Sequence, residues 1–188
     1  MTISPGRFKE SLARYAAGVT VVMARDGDRA VGATVSSFTS VSLTPPLVLI
    51  CLQKRLGLHG AIREHGAFAV SMLTVGQVEL GKRFAGLVPH VSDRMAGVAV
   101  EVAQTGSPIL QECAAWVDCT LWNVYDGGDH TIFVGEVLAA GSQPTVPPLL
   151  YFDRDWHRGE RLPARAMPVE RPQPVIRAPL PAVAVPSG

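Results

Sequence analysis

The chain has 188 residues, 47% of them apolar and 18% charged, which suits one domain with a buried core and excludes a chain too polar to fold. Its 17 basic and 16 acidic side chains leave a net charge of +1, with no cationic surplus to neutralise a phosphate backbone, so no nucleic-acid partner is expected. Apolar runs such as Leu47 to Leu52 fall far short of the roughly 20 residues a membrane helix needs, so no membrane partner is expected either.

Met1 to Arg14 carries charges where a secretion signal would need an apolar stretch, so no signal is expected there. Phe8, Leu12, Tyr15 and Ala16 recur at helical spacing and predict a short helix ending near Gly18. Val19 to Met23 is a β-branched run, and the polar turn Arg25 to Arg29 joins it to a second strand, Ala30 to Phe38, as a hairpin. Pro45-Pro46 ends that segment, and Leu47 to Leu52 reads as a buried strand. Helices are predicted over Gly57 to His65 and Val75 to Phe84, with a strand over Ala67 to Leu73 between them. After a looser stretch with Pro89 and Pro108 come long strands at Ala115 to Tyr125 and His130 to Ala139, then a short one at Leu149 to Phe152. About seven strands with hairpin-like links and few helices predict an antiparallel barrel, mainly β, rather than a doubly wound sheet.

Composition shifts near Gly159. The segment 159–188 holds seven of the 15 prolines and no aromatic residue, so residues 1–158 are expected to form the folded domain and 159–188 a proline-rich, extended tail. Cys51, Cys113 and Cys119 are odd in number and lack C-x-x-C spacing. That pattern supports neither a disulfide framework nor a zinc ribbon and favours a reducing, cytoplasmic setting.

Several chemistries lack their motif. No G-x-G-x-x-G follows a strand, and neither the phosphate-loop motif G-x-x-x-x-G-K-[ST] nor the nucleophile elbow G-x-S-x-G occurs. The five histidines are scattered, and His59 and His65 lie six apart, on different faces of a helix, so no metal site is expected. The segment Thr34 to Thr44 stands out instead, with seven hydroxyl residues in eleven. Such a strand end can hold an anion such as phosphate through hydroxyls and backbone N–H groups, or it can be a turn-rich edge bonding its own backbone.

Longer stretches narrow the choice. Gly18-Val19-Thr20-Val21-Val22, Gly32-Ala33-Thr34-Val35-Ser36-Ser37-Phe38-Thr39-Ser40-Val41-Ser42 and Pro45-Pro46-Leu47 resemble the short-chain flavin reductase family. So, in order, do Cys51-Leu52, Phe68-Ala69-Val70-Ser71, Arg83-Phe84-Ala85-Gly86, Gly128-Asp129-His130-Thr131-Ile132-Phe133-Val134-Gly135-Glu136-Val137 and Pro148-Leu149-Leu150-Tyr151-Phe152, so that the likeness spans about residues 8 to 157. The resemblance implies an FMN-binding split β-barrel, a homodimer, using NADH or NADPH to reduce FMN or FAD and supplying reduced flavin to a partner monooxygenase.

The same resemblance places Thr34, Val35, Ser36 and Ser37 along the flavin, and Cys51, Leu52 and Gln53 beside its ring. Cys51 is otherwise a small buried hydrophobe. Family members carry Ser or Thr where this chain has Leu56 and Leu58, so the phosphate falls to Lys54, Arg55, the backbone around Gly57 and Leu58, or the next helix's N-terminus. Arg83 and Phe84 match positions near the phosphate and adenine end, although Arg83 reads equally as a solvated helix residue. His130 matches a histidine near flavin and nicotinamide, where imidazole positions the nicotinamide or stabilises charge on the ring; without the resemblance it is a hairpin anchor. Asp118 and Asp129 read as structural or exposed. Two other readings stay open: a flavin carrier without turnover, and a flavoprotein with tightly bound FMN and another substrate.

Overall fold

Apolar and β-branched residues at alternating positions decide most of the architecture. The computed structural model describes residues 3–161. A helix α1 (Pro5–Ala13) precedes a two-residue strand β1 (Ala17–Gly18) and strands β2 (Thr20–Asp26), β3 (Arg29–Val35), β4 (Thr39–Leu43) and β5 (Pro46–Gln53). Helix α2 (Gly57–His65), strand β6 (Ala67–Met72) and helix α3 (Val78–Phe84) follow. The rest is β7 (Val100–Val102), β8 (Pro108–Leu110), the long β9 (Ala115–Gly127) and β10 (His130–Ser142), and β11 (Leu149–Phe152) with β12 (Asp155–Arg158).

Seven strands form one antiparallel sheet in the order β3-β2-β6-β9-β10-β5-β4. The sheet curls as a split barrel, with no ladder between β3 and β4 among the described residues. Ser37 bridges part of that gap: its hydroxyl donates to the Cys51 carbonyl at 2.9 Å and accepts from the Cys51 N–H at 3.1 Å. β1, β11 and β12 make a small second sheet, and β7 and β8 a hairpin.

β2 is buried on both faces, which explains its unbroken apolar run. Val22 and Ala24 enter a core with Ile50, Leu52, Phe68, Val70 and Phe133, sealed by Leu58 and Ile62 of α2. Val21 and Met23 enter a second core with Leu73, Phe84, Leu110 and Leu149. Gly135 lies at the tightest point: a Cβ there would sit 2.6 Å from the Phe68 ring and 2.8 Å from Cys119 Cβ. α2 ends at Gly66, whose φ of 70° favours glycine.

Several boundaries differ from the sequence expectation. α1 stops at Ala13 rather than near Gly18, because Ala17 and Gly18 pair with Tyr151 and Leu150. The polar turn shrinks to Gly27-Asp28, since Arg25 and Asp26 pair with Ala30 and Arg29. The helix expected over 75–84 opens with a 3-10 turn, Val75–Gln77, where Thr74 and Gln77 cap each other. The described part of the chain includes Gly159, whose N–H bonds the Pro148 carbonyl at 3.2 Å; the tail beyond residue 161 lies outside the described residues.

Candidate functional site

The ends of β3, β5 and β10 meet at one rim because β10 pairs with β5 from His130↔Gln53 to Glu136↔Leu47, and Ser37 ties the end of β3 to Cys51. A cavity of about 770 Å³ opens there. Thr34, Val35, Ser36, Ser37, Cys51, Leu52, Gln53, Phe84 and His130 all line it. Residues far apart in sequence thus converge on one groove. Cavities of this size accommodate small-molecule ligands.

Not every hydroxyl there is free. Thr34 Oγ1 donates to the Gly81 carbonyl at 2.7 Å and fastens α3 to β3, while Ser37 holds Cys51. Ser36 is exposed at the rim. The side chains of Val35 and Leu52 are buried, at 6% and 1% exposure, so they contribute mainly backbone and shape. Burial pushes the Cys51 thiol above its ordinary value, against a smaller opposing effect of the Ser37 bond, so it is a poor thiolate. His130 Nδ1 lies 2.7 Å from Asp129 Oδ1. That bond and the nearby imidazole hold the exposed Asp129 carboxyl below the usual carboxylate range. Asp129 therefore orients the site's imidazole, a role the sequence reading missed. Asp118, by contrast, is fully buried and accepts from Thr105 N at 2.8 Å and Thr105 Oγ1 at 2.5 Å, a structural use.

Three expectations about the phosphate end change. Lys54, in the turn that follows β5, lies away from the groove, whereas Gln53 and Arg55 line it. There it pairs with Asp126 at 2.5 Å, beside His59 and Arg63. Leu58 is buried in the core, at 3% exposure, and with Gly57 it borders a neighbouring cavity of about 820 Å³. Arg83 lines neither cavity: its Nη2 donates to the carbonyls of Asp93 at 2.9 Å and Ala96 at 2.7 Å. It is a loop tether, not a solvated helix residue.

Other groups enter the groove as well; among them the sequence singled out only Arg55 for ligand binding, as a phosphate candidate. Phe8 and Leu12 of α1 form one wall, with Ile132 beside His130. Arg55 lies along the groove, its Nε donating to Gln53 Oε1 at 2.8 Å. Arg94 reaches it from the loop after α3. A residue in an irregular loop leaves no periodic signal, which is why Arg94 escaped notice. The residues fit a flavin: apolar Leu56, Phe84 and Ile132 suit a flat ring, strand backbone and Ser36 its polar edge, and Arg55 and Arg94 a phosphate.

A curled antiparallel sheet carrying such a groove defines a nucleotide-cofactor-binding split barrel. Residues 12–160 match the family described as flavin reductase like domain, and the chain belongs to that family. It is 40% identical over 151 residues to the reductase component of 4-hydroxyphenylacetate 3-monooxygenase from Thermus thermophilus, covering 80% of this chain and 94% of that one. It is 36% identical over 156 residues to the flavin-dependent monooxygenase reductase subunit HsaB of Mycobacterium tuberculosis, covering 82% of each. Among solved structures, the NADH:FAD oxidoreductase SgcE6 of Streptomyces globisporus superposes with a TM-score of 0.77 at 34% identity, covering 86% of this chain and 98% of that one.

Proposed function

We propose that this chain is an NAD(P)H-dependent flavin reductase that hands reduced flavin to a partner monooxygenase. The observation that supports this reading is one groove in which the ends of β3, β5 and β10, with Phe84 of α3, bring together nine of the family-matched residues. A bound flavin would supply the hydride acceptor for the nicotinamide, and the chain's part is to bind, orient and shield the pair. Strand backbone and Ser36 hold the polar edge of the ring, while Leu56, Phe84 and Ile132 exclude water from its faces. Asp129 Oδ1 accepts a hydrogen bond from His130 Nδ1–H, fixing the imidazole so that it positions the nicotinamide beside the ring. Cys51 serves as a small wall residue, since its raised thiol pKa suits no thiolate chemistry.

The chain acts as a homodimer in this reading. Support comes from large apolar side chains left exposed on β4, β9 and β10: Val41, Leu43, Trp122, Tyr125 and Leu138. Light scattering on the purified protein checks this, and a monomer at assay concentrations would refute it. Residues 1–158 are the catalytic unit, and a chain ending at Arg161 is expected to turn over at the full-length rate. None of the described helices is long and apolar enough to cross a membrane.

Steady-state oxidation of NADH and of NADPH, each with FMN, FAD and riboflavin, tests the main reading. Flavin-dependent loss of the nicotinamide absorbance is expected. Flavin binding without any such loss would leave a carrier, and oxidation only with a further organic substrate would leave a flavoprotein of another kind.

A further inference from the structure

His130 enters the groove from a turn that the cores do not reach. Residues 125–129 are all exposed, so no apolar packing holds the connection between β9 and β10. The ladders of β10 with β5 and with β9 both end at His130, paired with Gln53 and Gly127, and Gly128 and Asp129 lie beyond them. Gly128 has φ of 79°, a conformation that favours glycine, and glycine loses the most backbone freedom on ordering. The turn that presents the imidazole therefore depends on polar ties.

Those ties converge on Lys54. Its N–H donates to the Asp129 carbonyl at 3.1 Å, and its Nζ donates to Asp126 Oδ2 at 2.5 Å. The other oxygen of that carboxylate, Asp126 Oδ1, accepts from the Gly128 N–H at 2.9 Å. Asp129 Oδ1 in turn holds His130 Nδ1 at 2.7 Å. One series of contacts thus runs from an ammonium outside the groove, through Asp126, Gly128 and Asp129, to the imidazole that lines it. The charge matters as well as the bonds. Asp126 and Asp129 put two carboxylates on one short turn, and Lys54 bears on both. Its hydrogen bond is the largest cause of the low pKa of the Asp126 carboxyl; at Asp129 the His130 bond comes first and the Lys54 charge adds to it. Without the ammonium the two carboxylates would repel each other across the turn.

Resting on the reading in which His130 positions the nicotinamide, we propose that Lys54 is a positioning residue for hydride transfer: its ion pair with Asp126 fixes the Gly128-Asp129 turn, and with it the imidazole, from outside the groove. The sequence marks Lys54 as a phosphate candidate; in this role the same charge serves the reaction without touching either nucleotide. General stability gains little from the pair, since the Lys54 and Asp126 side chains are 43% and 77% exposed. The consequence of losing it falls instead on how His130 is presented.

The test uses the full-length protein with Lys54→Met, Lys54→Arg, Asp126→Asn, His130→Ala, and Lys54→Met combined with His130→Ala. NMR amide exchange is read at Gly128 and at position 54 without ligand, and kcat/KM for the nicotinamide nucleotide at saturating flavin. Lys54→Met is expected to speed exchange at both amides and to lower kcat/KM about two- to fivefold, the range of a partly exposed ion pair. Flavin Kd and Tm should stay at the parent's values. Asp126→Asn should match that loss of kcat/KM, and Lys54→Arg should restore most of it. In the His130→Ala background, Lys54→Met should cost nothing further, because the ammonium acts through the imidazole. The same loss with His130 absent overturns the proposal, as does unchanged Gly128 exchange or parental kcat/KM in Lys54→Met. A rise in flavin Kd that accounts for the loss also overturns it and returns Lys54 to the phosphate. Parental rates in His130→Ala would remove His130 from the reading, and Lys54 with it. Absence of any flavin-dependent nicotinamide oxidation by the parent refutes the flavin reductase reading itself, a distinct result in which the exchange rates still report whether Lys54 fixes the turn.

Discussion

Ser37→Ala separates a hydroxyl that holds the protein together from one that holds the ligand. Ser37 Oγ makes two hydrogen bonds, at 2.9 and 3.1 Å, to the carbonyl and N–H of Cys51. Each such bond contributes about 0.5–1.5 kcal/mol net, and two would contribute about 1–3. Ser37 is exposed, however, so water can reach the vacated Cys51 groups, and a loss near the lower limit, about 1 kcal/mol, is expected. For a domain of this size that corresponds to a fall in Tm of roughly 2–4 °C. Ser36→Ala, at the neighbouring exposed position, should stay within about 0.5 kcal/mol of the parent. Flavin affinity should show the reverse order, with the larger loss for Ser36→Ala. Differential scanning fluorimetry without ligand, followed by flavin titration, reads both quantities. An unchanged Tm for Ser37→Ala, together with a large loss of flavin affinity, would refute the assignment of its hydroxyl to β5.

His130→Ala should slow hydride transfer at saturating flavin about tenfold or more, or raise the nicotinamide concentration required, with little change in flavin affinity. Stopped-flow reduction measures this, and wild-type rates with unchanged nicotinamide dependence would leave His130 as a hairpin anchor. Gly135→Ala should destabilise by at least about 2 kcal/mol, because the added methyl meets the Phe68 ring and Cys119 in a packed core. Urea unfolding checks it, and an unchanged midpoint would mean that the strands part easily. His59, packed edge-on against Phe133 and bonded to Thr131 at 2.9 Å, has its pKa lowered by burial first and then by Arg63 and Lys54. The folded state therefore binds this proton less readily than the unfolded chain, whose imidazole has the ordinary value of 6.5, and stability should fall as pH drops below that value. Replacing His59 with Gln should flatten that part of the Tm-against-pH curve, and an unaltered slope would assign the effect elsewhere.

Local pattern made the central sheet legible, because β2 and β6 bury both faces, β5 alternates, and β9 and β10 are long β-rich runs either side of a Gly-Gly-Asp turn. α2 and β11 fall on their expected bounds. β4 was hidden because its Thr, Ser and Val residues read as a polar turn, and β7, β8 and β12 are too short to show a period. At the site, the family-matched strand ends line one groove. Side-chain commitments did not show: no spacing reveals that Thr34 is tied to Gly81, that Ser37 is tied to Cys51, or that Arg83 fastens a loop. Those facts depend on partners distant in sequence. The cations facing the groove, Arg55 and Arg94, are placed by the turn after β5 in one case and by the loop after α3 in the other.

The groove's walls differ in how readily they can part. β3, β5 and β10 belong to the main sheet, and exposing their amides means breaking ladder bonds and core packing. α1 buries none of its nine residues, yet Phe8 and Leu12 line the groove. Its recorded polar ties lie at its C-terminal end, where Asp153 N–H bonds the Ala13 carbonyl at 2.8 Å and the Asp153 carboxylate meets Arg14 at 3.2 Å, both in reach of solvent. A nine-residue helix has little stability of its own, so its amides belong to the fast-exchanging end of the molecule and those of β2 to the slow end. One wall of the groove can thus open on a low free-energy excursion while the opposite walls stay in register. On the proposed reading, a flavin released after turnover would have an exit that requires no disturbance of the sheet.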